Sequence, residues 1–193
     1  LYRSSSTSFF PSLDAKERKM TYSKVIKKLY TKLLGKAIKQ KMTDLKILQN
    51  QIAYDYSADD IEILSETTVG QIIKGKRNLS FNASLAFQAS LNYKTPKELF
   101  FPSQDFELQL IEAIIMTIIT DTCFDQTMIK KALVNKLNGE INHSTISKFI
   151  NTYRNPLLQS LSQFIPEFPE EENSYQIAEK LTDWLSELAC LIS

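Results

Sequence analysis

Apolar residues in this chain recur at steps of three and four, and no segment alternates convincingly between apolar and polar. That period marks helices packed by one face and argues against sheet architectures. Val25, Ile26, Leu29, Leu33, Leu34 and Ile38 set the pattern early, and Ile177, Leu181, Trp184, Leu185 and Leu188 repeat it near the end. Only 4 Gly and 6 Pro are spread over 193 residues, so the turn residues of an all-β chain are scarce. The expectation is an all-α fold. At 43% hydrophobic residues the chain can bury a core, and its length suits one large domain or two small ones.

Several function classes drop out on composition. Cys123 and Cys190 are too few for a disulfide scaffold and are read as buried small hydrophobes in a reducing compartment. His143 is the single histidine, which removes His-rich metal sites and makes a nucleophile–His–Asp triad a thin prospect. It is read as a capping or phosphate-contacting side chain. There is no Gly-rich phosphate loop, no Cys-x-x-Cys spacing and no pair of carboxylates with a pocket signal. No enzyme, no metal and no cofactor are therefore expected. No apolar run reaches the ~18 residues of a membrane span. A secretory signal is also missing from residues 1–20, so a cytoplasmic, membrane-free protein is expected.

The net charge of +1 conceals a division. Residues 1–101 hold 17 Lys or Arg against 9 Asp or Glu, and residues 102–193 hold 6 against 13. A basic half beside an acidic half points to a basic surface for nucleic acid or an acidic partner, joined to an acidic half with another task. Along the chain, residues 1–20 read as a Ser-rich flexible arm. Thr21 to Met42 reads as a Lys-rich amphipathic helix that Gly35 could divide in two. Leu48 to Tyr56 is a short helix with Ile52, Ala53 and Tyr56 inward, followed by an acidic connection to Ser65. Thr67 to Lys74 is a further short helix stopped by Gly75. Helices follow over Asn82 to Asn92 and Pro96 to Phe101. Beyond these come an apolar helix over Asp105 to Asp121, a pair over Gln126 to Asn138 and Ser144 to Tyr153, a Pro/Glu linker over Ile165 to Asn173, and a last amphipathic helix.

Residues 67–80 read Thr-Thr-Val-Gly-Gln-Ile-Ile-Lys-Gly-Lys-Arg-Asn-Leu-Ser. They resemble the recognition helix and following turn of the Cro/phage-repressor (XRE) helix-turn-helix family. Leu34 to Lys39 is similar to that family's first helix and Gln49 to Tyr56 to its second. Leu85 to Phe101 is similar to its two closing helices, so the resemblance spans about 33–101. It implies a five-helix repressor-like domain over 21–103, followed by a helical C-terminal domain over 104–193. It also implies sequence-specific binding of double-stranded DNA by a transcriptional regulator of the repressor type. Thr67, Thr68 and Gln71 stand where such a helix meets base edges; Gln bonds adenine bidentately, and Thr offers a hydroxyl and a methyl. Gln49 stands where the second helix grips a phosphate. Lys74, Lys76, Arg77 and Asn78 stand beside the neighbouring backbone. Val69, Ile72 and Ile73 look inward, toward Ile38, Ile52 and Leu85.

The chain departs from the family in three places. The connection between the second and third helices is longer by about six residues and acidic, so it must point away from phosphate or touch protein. Gly70 sits inside the recognition helix, at a cost of ~1 kcal/mol against Ala. Ile73 and Leu79 replace the family's Glu and Pro. A second unit is also suggested, because Ser144 to Pro156 repeats Thr67 to Leu79 at an offset of 77. Two apolar faces, Leu108 to Ile119 and Trp184-Leu188, are read as the seam of a homodimer on paired half-sites. The alternative is a single chain whose two units span both half-sites. The competing function is an antitoxin or immunity-type protein-interaction module on a repressor-like fold. A peptide or protein effector is left open.

Overall fold

The computed structural model describes residues 15–55, 61–62, 64–165 and 173–192. The fold is all-α apart from one minimal strand pairing. Helix α1 (Ala15–Leu45) is followed by α2 (Gln49–Ala53), β1 (Tyr54–Asp55), β2 (Ile61–Glu62), α3 (Glu66–Ile73), α4 (Phe81–Ser90) and α5 (Pro96–Phe100). Then come α6 (Gln104–Thr120), a 3-10 turn (Thr122–Phe124), α7 (Met128–Lys136), α8 (His143–Thr152), α9 (Arg154–Ser162) and α10 (Ser174–Ile192).

Local chemistry sets most of the helix starts. Ser65, Ser80, Thr95, Ser103, Thr127 and Asn142 each sit at an N-cap and accept a hydrogen bond from the amide three residues on. A side-chain oxygen there satisfies one of the free N–H groups of the first turn. Helix α9 is different: Tyr153 precedes it with no side-chain cap, and it follows α8 almost without a break. The sequence pattern gave no helix over 154–162, and Pro156 in its first turn is compatible with one because the first-turn N–H groups have no intrahelical partner.

Helix α1 is the frame. Its 31 residues run unbroken through Gly35 and rise about 46 Å. It begins at Ala15, inside the stretch read as a flexible arm; residues 1–14 lie outside the described residues. Ile26, Tyr30, Leu34, Ile38 and Met42 form its buried face, and α3, α6 and α10 pack against the helix. The Tyr30 hydroxyl, fully buried, donates to the Phe100 carbonyl at 2.9 Å, and burial raises its pKa well above the ordinary phenol range. Trp184, also fully buried, donates from Nε1 to Ser160 Oγ at 2.9 Å.

One core runs through both halves of the chain. Packing therefore does not follow the division expected near residue 103, because α10 lies along α1 and Lys27 pairs with Glu179 at 2.8 Å. The apolar faces read as a dimer seam are used within the chain. Ile111, Ile114, Ile115 and Ile118 of α6 are fully buried, as are Trp184 and Leu188 of α10. The sequence showed that these faces need cover, and α1, α7 and α9 supply it.

Smaller corrections follow. Helix α2 ends at Ala53, and the acidic connection opens as an antiparallel pairing of Tyr54 with Glu62 and Asp55 with Ile61. Tyr56 and the rest of that connection to residue 60 lie outside the described residues, as do 166–172 of the Pro/Glu linker. Leu85 is 48% exposed, and Ala83, Ala86 and Phe87 face the core instead. Cys190 is exposed on the outer side of α10. Cys123 is half-buried, and burial with the neighbouring Asp121 pushes its thiol up to about 12. Among the described residues no helix is long and apolar enough to cross a membrane.

Candidate nucleic-acid interface

Two glycines fix where α3 ends. A Cβ on Gly35 would lie 2.6 Å from the Ile72 carbonyl oxygen and 2.8 Å from the Gly75 nitrogen. A Cβ on Gly75 would lie 2.5 Å from the Lys32 Cα. The end of α3 thus rests on the backbone of α1, which only two residues without side chains allow. Gly75 has φ +64°, donates its N–H to the Ile72 carbonyl at 2.8 Å, and is followed by Lys76 donating to the Gln71 carbonyl at 2.9 Å. This pair of bonds is a Schellman motif. Val69, Ile72 and Ile73 are buried, as expected, so the opposite side of α3 faces outward.

On that outer side stand Glu66, Thr67, Gln71 and Lys74, all exposed, with Thr68 half-buried at the helix start. Ser65 Oγ accepts from the Thr68 amide at 3.2 Å and lies 2.9 Å from Thr68 Oγ1. Arg77 reaches back from the turn and donates from Nη1 to that same Thr68 hydroxyl at 3.1 Å. The turn after α3 therefore places a guanidinium over the start of the helix. Sequence reasoning had assigned Arg77 to the neighbouring backbone without this contact. Lys76 is exposed beside it.

Gln49 opens α2 and its Oε1 lies 3.1 Å from where a Cβ on Gly70 would be. Gly70 thus leaves room for the Gln49 side chain where α2 packs on α3. A groove of about 720 Å³ borders this crossing, lined by Lys39, Thr43, Lys46, Gln49, Asn50 and Glu66 among others. The Asn50 side-chain oxygen is buried, with no hydrogen-bond partner among the described residues. Lys39, on the Lys-rich helix, and Lys46, just past its end, are exposed on the groove and are not among the residues singled out from sequence. Glu66 precedes the repressor-like segment, which begins at Thr67, so the resemblance does not reach it.

Asn78 is placed differently from the others. Its Oδ1 accepts from Ser174 Oγ, the Leu79 N–H donates to Ser174 Oγ at 3.0 Å, and the Ser174 N–H donates to the Leu79 carbonyl at 3.0 Å. Asn78 thus ties the turn to the start of α10 rather than facing outward. His143 is the first residue of α8, which Asn142 caps, and its Nδ1 lies 3.3 Å from Glu112 Oε1. Among the described residues no group of His, Cys, Asp and Glu is placed to hold a metal ion. No family model, curated protein or solved structure matches the chain.

Proposed function

We propose that this chain is a sequence-specific DNA-binding protein, a transcriptional regulator of the repressor type working in the cytoplasm, with α3 as the helix that enters the major groove. The observation that carries this reading is the outer face of α3. Thr67 and Gln71 project from a helix whose other side is locked to α1, with Lys74 and Lys76 at its end and the Arg77 guanidinium over its start. Rigid placement matters because base discrimination depends on donors and acceptors held to hydrogen-bond geometry. Gln71 reads adenine through its amide. Glu66 can accept from the cytosine amino group. Gln49, Lys39 and Lys46 border the groove where a phosphate of the flanking strand is neutralised.

The test starts with selection of a cognate duplex by the purified full chain from a random pool. Fluorescence anisotropy then compares Gln71→Ala with the parent on cognate and scrambled duplexes. The expected loss on the cognate site is ~1–3 kcal/mol, with little change on the scrambled one. Equal cognate affinity of variant and parent would remove α3 from the reading role.

A further inference from the structure

The solvent side of α1 carries a second basic feature. Lys24, Lys28, Lys32, Lys36 and Lys39 are all exposed. Three fourfold steps of about 40° each and one threefold step back of about 60° keep these five within one broad stripe, about 120° wide. Among the described residues none of the five has an ion-pair partner, whereas Lys27 on the flank pairs with Glu179 and Lys41 lies over the Tyr93 ring. Like charges four apart weaken a helix, so the lysine row does not serve the stability of α1 itself.

The row is joined to the α3 turn. Gly75 rests on Lys32, and Gly35, between Lys32 and Lys36, rests on Gly75. Lys32 and Lys36 therefore flank the turn that carries Lys76. From Lys24 to Lys39 the stripe is about 22 Å long, roughly six base-pair steps of a duplex. Lys24 to Lys32 also precede the segment that resembles the repressor family, so the resemblance assigns them nothing.

We infer that the lysine row of α1 is a sequence-independent phosphate track that carries the duplex past the segment contacted by α3. The ligand is the backbone of double-stranded DNA flanking the site. The inference rests on the reading above for the identity of its ligand, but not for how that ligand is recognised.

The experiment uses the full chain with Lys24→Gln, Lys28→Gln and Lys32→Gln combined, since Gln keeps length and helix propensity while removing charge. Circular dichroism checks the fold. Affinity is measured between 50 and 200 mM salt on a long duplex of about 30 base pairs, cognate and scrambled, and on a short cognate duplex of about 12. On the long duplexes the slope of log K against log salt should fall in magnitude by about 2.7 units, one counterion release per lysine. The cognate-to-scrambled ratio should stay at the parent value, and the short duplex should be bound as by the parent. An unchanged slope on the long duplex overturns the inference. So does loss of binding to phosphatidylserine vesicles with no change in the DNA slope, which would assign the row to a membrane surface. If the slope falls as expected while Gln71→Ala leaves the cognate-to-scrambled ratio intact, the track stands and the reading role of α3 fails. Absence of any DNA binding by the parent removes both.

Discussion

Helices α3 and α8 follow the same plan 77 residues apart and end in different surroundings. Ser65 and Asn142 cap them alike, Val69 and Ile146 match, and so do Ile72 with Phe149 and Ile73 with Ile150, all buried. The supporting helices match too: Leu34, Ile38 and Met42 of α1 correspond to Ile111, Ile115 and Ile119 of α6. The two glycines do not. Glu112 stands at the place of Gly35, and Thr152 at the place of Gly75. The Glu112 carboxylate takes a hydrogen bond from Ser147 Oγ at 3.3 Å and lies as close to His143, while Glu140 takes the Thr145 hydroxyl at 3.5 Å. Arg154, the counterpart of Arg77, donates to Gln104 at the start of α6 instead of to its own helix. Helix α7 also packs on α6 and α10, whereas α2 packs on α3. One buried pattern thus serves two surfaces: α3 has the Arg77 guanidinium over its beginning and Lys74 and Lys76 at its end, and α8 has carboxylates around its beginning. The glycine pair accounts for part of the difference: at the place of Gly35 stands Glu112, whose carboxylate reaches Ser147 and His143.

The largest expected effect tests that glycine contact. Gly35→Ala must push its methyl against the Ile72 carbonyl and the Gly75 amide, backbone atoms that cannot rotate away. A loss of about 3 kcal/mol in urea unfolding is expected, as for an overpacked core. Gly139→Ala is the control from the second region: nothing lies within 4 Å of its added methyl, and only its φ of +73° is unfavourable. That substitution should cost about 1 kcal/mol. Equal losses for the two would remove the special role of the α1–α3 contact.

The same contact shows what a sequence conceals. Gly35 in a Lys-rich helix read as a point of division, because a helix-interior glycine is locally unfavourable. Its reason lies forty residues away, in the Gly75 that rests on it. Periodicity placed the helix after Thr95 at its observed start, Pro96, and the one after Ser65 a residue late, because the first turn is set by the Ser65 cap and not by an apolar period. The outward set on α3 was legible from Val69, Ile72 and Ile73 pointing the other way. Helix α9 was not, since it has no cap and follows directly on α8. The faces of α6 and α10 were seen as apolar, but periodicity says only that a face is covered, never by what. Asn78 was assigned outward because its partner, Ser174, is 96 residues away.

A smaller effect is expected at that tie. Ser174 is fully buried and serves both Asn78 and the Leu79 N–H. Ser174→Ala leaves a buried amide without its acceptor, at a cost of ~1–3 kcal/mol. Asn155, the counterpart of Asn78, is exposed, and Asn155→Ala should shift the urea midpoint by no more than about 0.5 kcal/mol. Comparable losses at both positions would show that the two turns are held alike. Faster amide exchange at Leu79 in the Ser174 variant would localise the effect to the turn.

The smallest effect divides the two helices by function. Lys76 and Lys148 are both exposed, Lys76 on the turn after α3 and Lys148 on α8 itself. If α3 alone meets the duplex, Lys76→Ala should lower the salt slope by about 0.9 units on any sequence, the share of one phosphate contact. Lys148→Ala should leave slope and affinity unchanged, since the carboxylates of Glu112 and Glu140 beside α8 repel a phosphate strand. An equal fall for Lys148→Ala would place α8 on DNA as well. One chain would then cover two half-sites about one helical turn apart, which is the arrangement that a dimer otherwise provides. Sedimentation of the bound complex separates those cases, because the tandem unit gives one chain per site and the dimer gives two. The burial of the α6 and α10 faces within the chain favours the smaller mass.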